Sequence, residues 1–304
     1  MATFKPGLVH TPVTPFKRDH SIDFDAYGKL IEFHLRNGAD ALALPMPQGE
    51  DMSLTDGELR KLLEFAIRQV NGRVPVIAHV SDAGTHIAVE RVRHAEQAGA
   101  AAIASHPPYF WHPKASMVVE HLVQIGSATQ LPFFICSPPV EDVGTPLTTE
   151  ITLHVLERLD NVAGVVDASM DWVFMVEAIS LGRGKRPEFQ LLAGTDYMVS
   201  AGVIGGVGAF SPLAGVAPKL AHRLYDLCAA QSFVEARKPQ EELAALHHLV
   251  KMAGLAGLKG AMRAMGRECG APRPPARALG EIEYGKLAEE ISNLGFLGAE
   301  PRGW

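Results

Sequence analysis

An α/β architecture is expected of this chain: a (β/α)8 TIM barrel of parallel strands with a C-terminal three-helix extension. Three observations carry that expectation. Short, continuously apolar runs alternate with helix-length amphipathic runs up to residue 230, as strands buried on both faces of a parallel sheet require. Eight such units fit within that stretch, and their tight connections leave no second domain's worth of residues. The remaining segment is helical in pattern throughout. An open, doubly wound sheet is the competing arrangement, and the shortness of the units favours closure.

The strands are expected at residues 8–13, 41–45, 74–78, 101–105, 133–136, 163–166, 190–193 and 207–210. Helical patterns between them cover 26–37, 57–70, 86–98, 114–128 and 149–159. Their boundaries carry start and stop signals. Thr55 with Glu58 makes a capping box, and Asp23 or Asp25 can cap the first helix. Gly38, Gly72 and Gly99 fall just past three helices, where a left-handed residue ends the turn. The barrel is assigned to 1–230 and the extension to 231–304, packed together as one structural unit, with breaks near Gly254 and in the stretch from Pro272 to Pro275.

Composition narrows the function classes. A net charge of −6 offers no basic stripe for nucleic acid. No apolar run reaches the roughly 18 residues of a membrane span, and the start MATFKPG has no secretory pattern. Cys136, Cys228 and Cys269 lie far apart, which suits a reducing, cytoplasmic compartment. The expected partner is a small molecule, with no cofactor, metal, membrane or nucleic acid.

In such barrels the chemistry sits where the strands end at their C-terminal side. The segments there, VTPF (13–16), QGE (48–50), PVIAH (75–79), HPPYF (106–110), LPFFICSPP (131–139), VAGVVDAS (162–169), LAGTD (192–196) and GGVGAFS (205–211), resemble dihydrodipicolinate synthases and N-acetylneuraminate lyases in order and spacing. GLKGAMRAMG (257–266) and PRPPARAL (272–279) extend the resemblance over nearly the whole chain. It implies a lyase that holds a 2-oxo acid as a Schiff base on a lysine closing the sixth strand, with a tyrosine closing the fifth to shuttle protons. It also implies a homo-oligomer, a dimer or tetramer, with Tyr109 able to pack at an interface.

The chain departs from that pattern where the chemistry would be. Val166 stands at the lysine position, Cys136 at the tyrosine position, and Phe110 at the relay aromatic. Pro47 and Gln48 replace the two threonines that grip the substrate carboxylate, and the loop Val140-Glu141-Asp142-Val143 lacks the arginine of the synthases. Valine forms no imine. The remaining lysines, Lys17, Lys251 and Lys259 among them, close no strand, and for most a solvated amine is the ordinary reading.

Three readings stay open on the sequence. One is a pocket that binds a 2-oxo acid, a sugar acid or a similar carbonyl or carboxylate compound without Schiff-base chemistry, and so is not a true dihydrodipicolinate synthase. The second is a carbon–carbon or carbon–oxygen lyase using a metal held by His79, His106, Asp82 and Cys136. In the third, Cys136 is a nucleophile served by His106. Ligand-binding candidates are Pro47, Gln48, His79, His106, Tyr109, Phe110, Cys136, Ser137, Val166, Gly194, Asp196 and Ser211. Asp167 should point away from the interior if Val166 points in. Glu50 follows the tight Gly49 turn and can hold its loop by accepting from backbone amides; neither carboxylate is assigned to acid–base work. His10, His34, His247 and His248 read as strand packing and helix surface.

Overall fold

The computed structural model describes residues 4–139 and 144–304. The first half of the barrel runs β1 (Leu8–His10), α1 (Phe24–Arg36), β2 (Ala41–Leu44), α2 (Asp56–Val70), β3 (Val76–His79), α3 (Thr85–Ala98), β4 (Ala102–Ser105) and α4 (Ala115–Ser127). The second half runs β5 (Phe133–Ser137), α5 (Thr149–Arg158), β6 (Val162–Asp167), α6 (Trp172–Lys185), β7 (Gln190–Ala193), α7 (Met198–Val203), β8 (Gly208–Ser211) and α8 (Pro218–Ala229). Each strand pairs in parallel with the next, and β8 returns to β1, so the sheet closes. Three further helices, α9 (Phe233–Met252), α10 (Gly254–Ala264) and α11 (Glu281–Asn293), form the extension.

The local signals act as the sequence suggests. The Asp23 side chain accepts from the Ala26 amide to start α1, and Thr55 and Glu58 close their capping box on α2. Gly38, Gly72 and Gly99 all take positive φ. The first strand is shorter than the expected 8–13, ending at His10. Pro12 and Pro15 lack an N–H for a ladder, and Thr14 donates instead to the Gly49 carbonyl.

Strand alternation divides the core. Ala41, Ala43, Ala102, Ala104, Phe134, Cys136, Val166 and Phe210 belong to a cluster inside the barrel. Their neighbours Leu42, Leu44, Ile103, Phe133, Ile135 and Val165 pack outward against the helices. Small alanines and large phenylalanines together fill the interior.

His10 and His34, expected at a strand and a helix surface, form a buried pair between β1 and α1, with Nδ1 atoms 3.0 Å apart. Burial pushes the His34 pKa down to about 3 and that of His10 well below its usual value. Both therefore fold neutral, while the unfolded chain binds a proton on each near its ordinary pKa of about 6.5. Their contribution to stability is complete above that value and is lost as pH falls from about 6.5 towards 3. The urea midpoint is expected to fall between pH 7 and pH 5, and to fall less in a His10→Val/His34→Leu variant. Parallel pH profiles would refute the assignment.

Candidate functional site

A cavity of about 610 Å³ opens at the C-terminal ends of the strands, within the usual range for small-molecule sites. Its floor is built by residues that alternation turns inward. Thr11 lies two residues after Val9, just past the first strand, and His106 two residues after Ala104, just past the fourth. Cys136 and Val166 are direct neighbours in the β5–β6 register, and both line the cavity. Pro47, Gln48, Ser137 and Gly194 are also in the wall. The loop Val140–Val143 lies outside the described residues.

The environment of each polar group sets what it can do. Cys136 is buried, and burial pushes its thiol up to about 12. His106 is pushed down to about 3, by burial first and the neighbouring His79 second. A nucleophilic thiolate beside an imidazolium needs both shifts in the opposite direction. Among the described residues, no three His, Cys, Asp or Glu side chains gather as a metal site requires.

His79 stands behind His106, with ring centroids 4.8 Å apart. Its Nδ1 meets the Pro45 carbonyl at 3.0 Å and the Asp51 carboxylate at 3.3 Å, so that nitrogen carries the hydrogen. Its Nε2 pairs with Ser81 Oγ at 2.7 Å, and Ser81 Oγ accepts the His106 amide at 2.7 Å. This string fixes where the His106 ring stands at the cavity wall.

Several candidates lie elsewhere. Asp196 and Ser211 do not line the cavity: they hydrogen-bond to each other and accept the Leu213 and Ala214 amides, holding the loop after β8. Burial pushes Asp196 up to about 7. Phe110 is 99% exposed with φ +79°, and Tyr109 borders a separate shallow depression with Asp82 and Arg91. Asp167 is buried behind the wall, accepting from Ser169 at 2.7 Å.

Glu50 accepts the Arg273 amide at 2.8 Å, and its other oxygen meets the Lys259 Nζ at 2.5 Å. Lys259, on α10, is only 4% exposed and not a solvated amine. The extension also supplies cavity residues that strand ends do not point to. His247, Val250, Lys251, Leu255 and Leu258 close one side of the mouth. His247 is therefore at the cavity wall rather than on a free helix surface; burial lowers its pKa, and its ring meets that of Tyr197 at 5.3 Å.

Two features of the lining point to a polar ligand. Thr11 Oγ1, in the floor, has no hydrogen-bond partner. Lys251 is the one charged side chain among the described lining residues, the two histidines there being neutral.

Comparison with known proteins gives these features a context. The family model described as the dihydrodipicolinate synthetase family matches residues 5–294. A 4-hydroxy-tetrahydrodipicolinate synthase from Nitrobacter hamburgensis is 34% identical over 258 residues, covering 84% of this chain and 85% of the relative. One from Bacillus subtilis is 30% identical over 287 residues, covering 93% and 97%. Among solved structures, the dihydrodipicolinate synthase from Thermotoga maritima superposes with a TM-score of 0.89 at 26% identity, covering 97% of this chain and 99% of that one. The chloride-inhibited enzyme from Acinetobacter baumannii, complexed with pyruvate, gives 0.89 at 25% identity, covering 96% and 99%.

Proposed function

The chain belongs to the dihydrodipicolinate synthetase family, and we propose that within it this protein binds a small carbonyl or carboxylate compound at the barrel mouth without Schiff-base chemistry. On this reading it is not a dihydrodipicolinate synthase. The observation that carries the reading is the pairing of Val166 with Cys136 on the inner wall. An iminium needs an amine and a proton shuttle, and this pair supplies a methyl-bearing side chain and a thiol held neutral by burial. The unpartnered Thr11 hydroxyl supports a pocket still in use. A buried hydroxyl without a partner costs about 1–3 kcal/mol, which a ligand's polar atom would recover. The same kinship supports a homo-oligomer, a dimer or tetramer, and the buried free thiols support a cytoplasmic setting.

A lyase working through other groups is the second reading, and the string from Asp51 through His79 to His106 is what favours it. A neutral imidazole can polarise a carbonyl by donating a hydrogen bond. The test is reduction with cyanoborohydride in the presence of pyruvate and other 2-oxo acids, followed by intact mass. The expected result is no adduct and no turnover of pyruvate with aspartate semialdehyde, with a thermal shift for one class of 2-oxo, sugar or hydroxy acid. A trapped adduct or clear turnover overturns the reading.

A further inference from the structure

Resting on the reading above, we propose that the ligand is an amphipathic monocarboxylate, with its carboxylate at the rim on Lys251, an apolar body across the mouth, and a neutral oxygen reaching Thr11. Three features of the wall lead there. The grip at the loop after β2 is neutral: Pro47 has no N–H and no hydroxyl, the Gly49 and Glu50 amides bond to Met46 and Pro47, and Gln48 offers only uncharged amide groups. A carboxylate at that end would meet no cation. Among the described lining residues the cation is Lys251, in the last turn of α9. An anionic end therefore gains most at the exposed rim beside Lys251 rather than at the turn after β2.

The space between is apolar. Met46, Val166, Met170, Phe210, Leu255 and Leu258 contribute carbon surface from both barrel and extension. A three-carbon acid would leave most of this wall uncovered within a 610 Å³ cavity. An aryl or branched-alkyl body covers it, and burying such a group gains on the order of ten- to a hundred-fold in affinity.

At the floor, Thr11 Oγ1 is buried without a partner, and His106 presents a neutral ring elsewhere in the same lining. A hydroxyl and a neutral imidazole suit a keto or hydroxyl oxygen better than a second anion. A dicarboxylate is disfavoured for the same reason, because its inner charge would be buried unpaired.

Calorimetric titration of the protein with 3-(4-hydroxyphenyl)propanoate, pyruvate and 4-ethylphenol tests the assignment. The aryl acid carries its carboxylate and its neutral oxygen at opposite ends of an apolar body, and it should bind at least about ten-fold more tightly than pyruvate. Lys251→Met, at an exposed position, should weaken the aryl acid about five- to ten-fold and leave 4-ethylphenol unchanged. Thr11→Val should weaken both aryl compounds about five-fold. Pyruvate binding as tightly as the aryl acid, or no loss with Lys251→Met, overturns this inference and leaves non-covalent binding of a small acid standing. A borohydride-trapped pyruvate adduct overturns the underlying reading, and absence of binding by all three overturns both.

Discussion

Lys259→Met is expected to cost about 3–5 kcal/mol of folding stability, because it strands the Glu50 carboxylate in the interior. The two side chains meet at 2.5 Å, with 4% and 0% of their surfaces exposed. Burial pulls the Lys259 ammonium below the ordinary lysine range, while the Glu50 charge opposes that shift. The pair also joins three parts of the chain. Glu50 follows the tight turn that carries Pro47 and Gln48 to the cavity, Lys259 belongs to α10, and the Lys259 Nζ sits 4.4 Å over the Phe16 ring in the loop after β1. Arg273 covers Phe16 as well and pairs with Glu58 at 2.5 Å. A Glu50→Gln/Lys259→Met double variant, which removes both charges, should recover a sizeable part of the loss, since the penalty comes from leaving one charge alone. Urea unfolding of the two variants checks this. A loss under about 1 kcal/mol in the single variant would mean that Glu50 reaches water or a proton in the folded protein.

This junction also shows what the sequence could and could not convey. The barrel was legible because alternating apolar runs, caps and glycine stops are local signals, and the same alternation places Val166 inward and Asp167 outward. Applied strictly, that rule also turns Ser211 outward once Phe210 faces in, and brings Thr11 to the cavity floor two residues after Val9. The extension's contribution was not legible. Lys251, His247 and Lys259 sit on helices whose patterns define faces but not what those faces meet. Whether a helical lysine is solvated, buried against a carboxylate or poised at a cavity rim depends on how α9 and α10 dock on the barrel, a long-range outcome with no local signature. Asp196 shows the converse, since its place next to a strand end suggested a ligand contact. Its carboxylate is instead used by Ser211 and the Leu213 amide, so position at the mouth does not decide orientation.

Val166→Lys should supply the amine that the proposed function says is missing. The side chain would enter the inner wall between Cys136 on β5 and Leu192 on β7, both of them in register with Val166. Both neighbours belong to the same buried apolar cluster. Desolvation there is expected to lower the new amine's pKa by about 3 units, leaving much of it neutral and nucleophilic near pH 7. The stability cost has a definite sign. A lysine whose folded pKa is depressed loses stability as pH falls from about 10.4 towards the folded value, about 4 kcal/mol for a shift of 3 units. The variant should therefore gain stability relative to the parent protein between pH 7 and pH 10. With pyruvate and cyanoborohydride it should yield a reduced adduct at residue 166, where the parent yields none. Turnover should stay absent, because the Cys136 thiol, held near 12 by burial, is a poor proton shuttle at pH 7. Adding Cys136→Tyr is the change that would bring proton transfer back within reach. A folded Val166→Lys protein that traps no 2-oxo acid would show that the wall at this position does not meet the ligand carbonyl. Chemistry would then have to be sought around His106, at the end of β4 on the far side of β5.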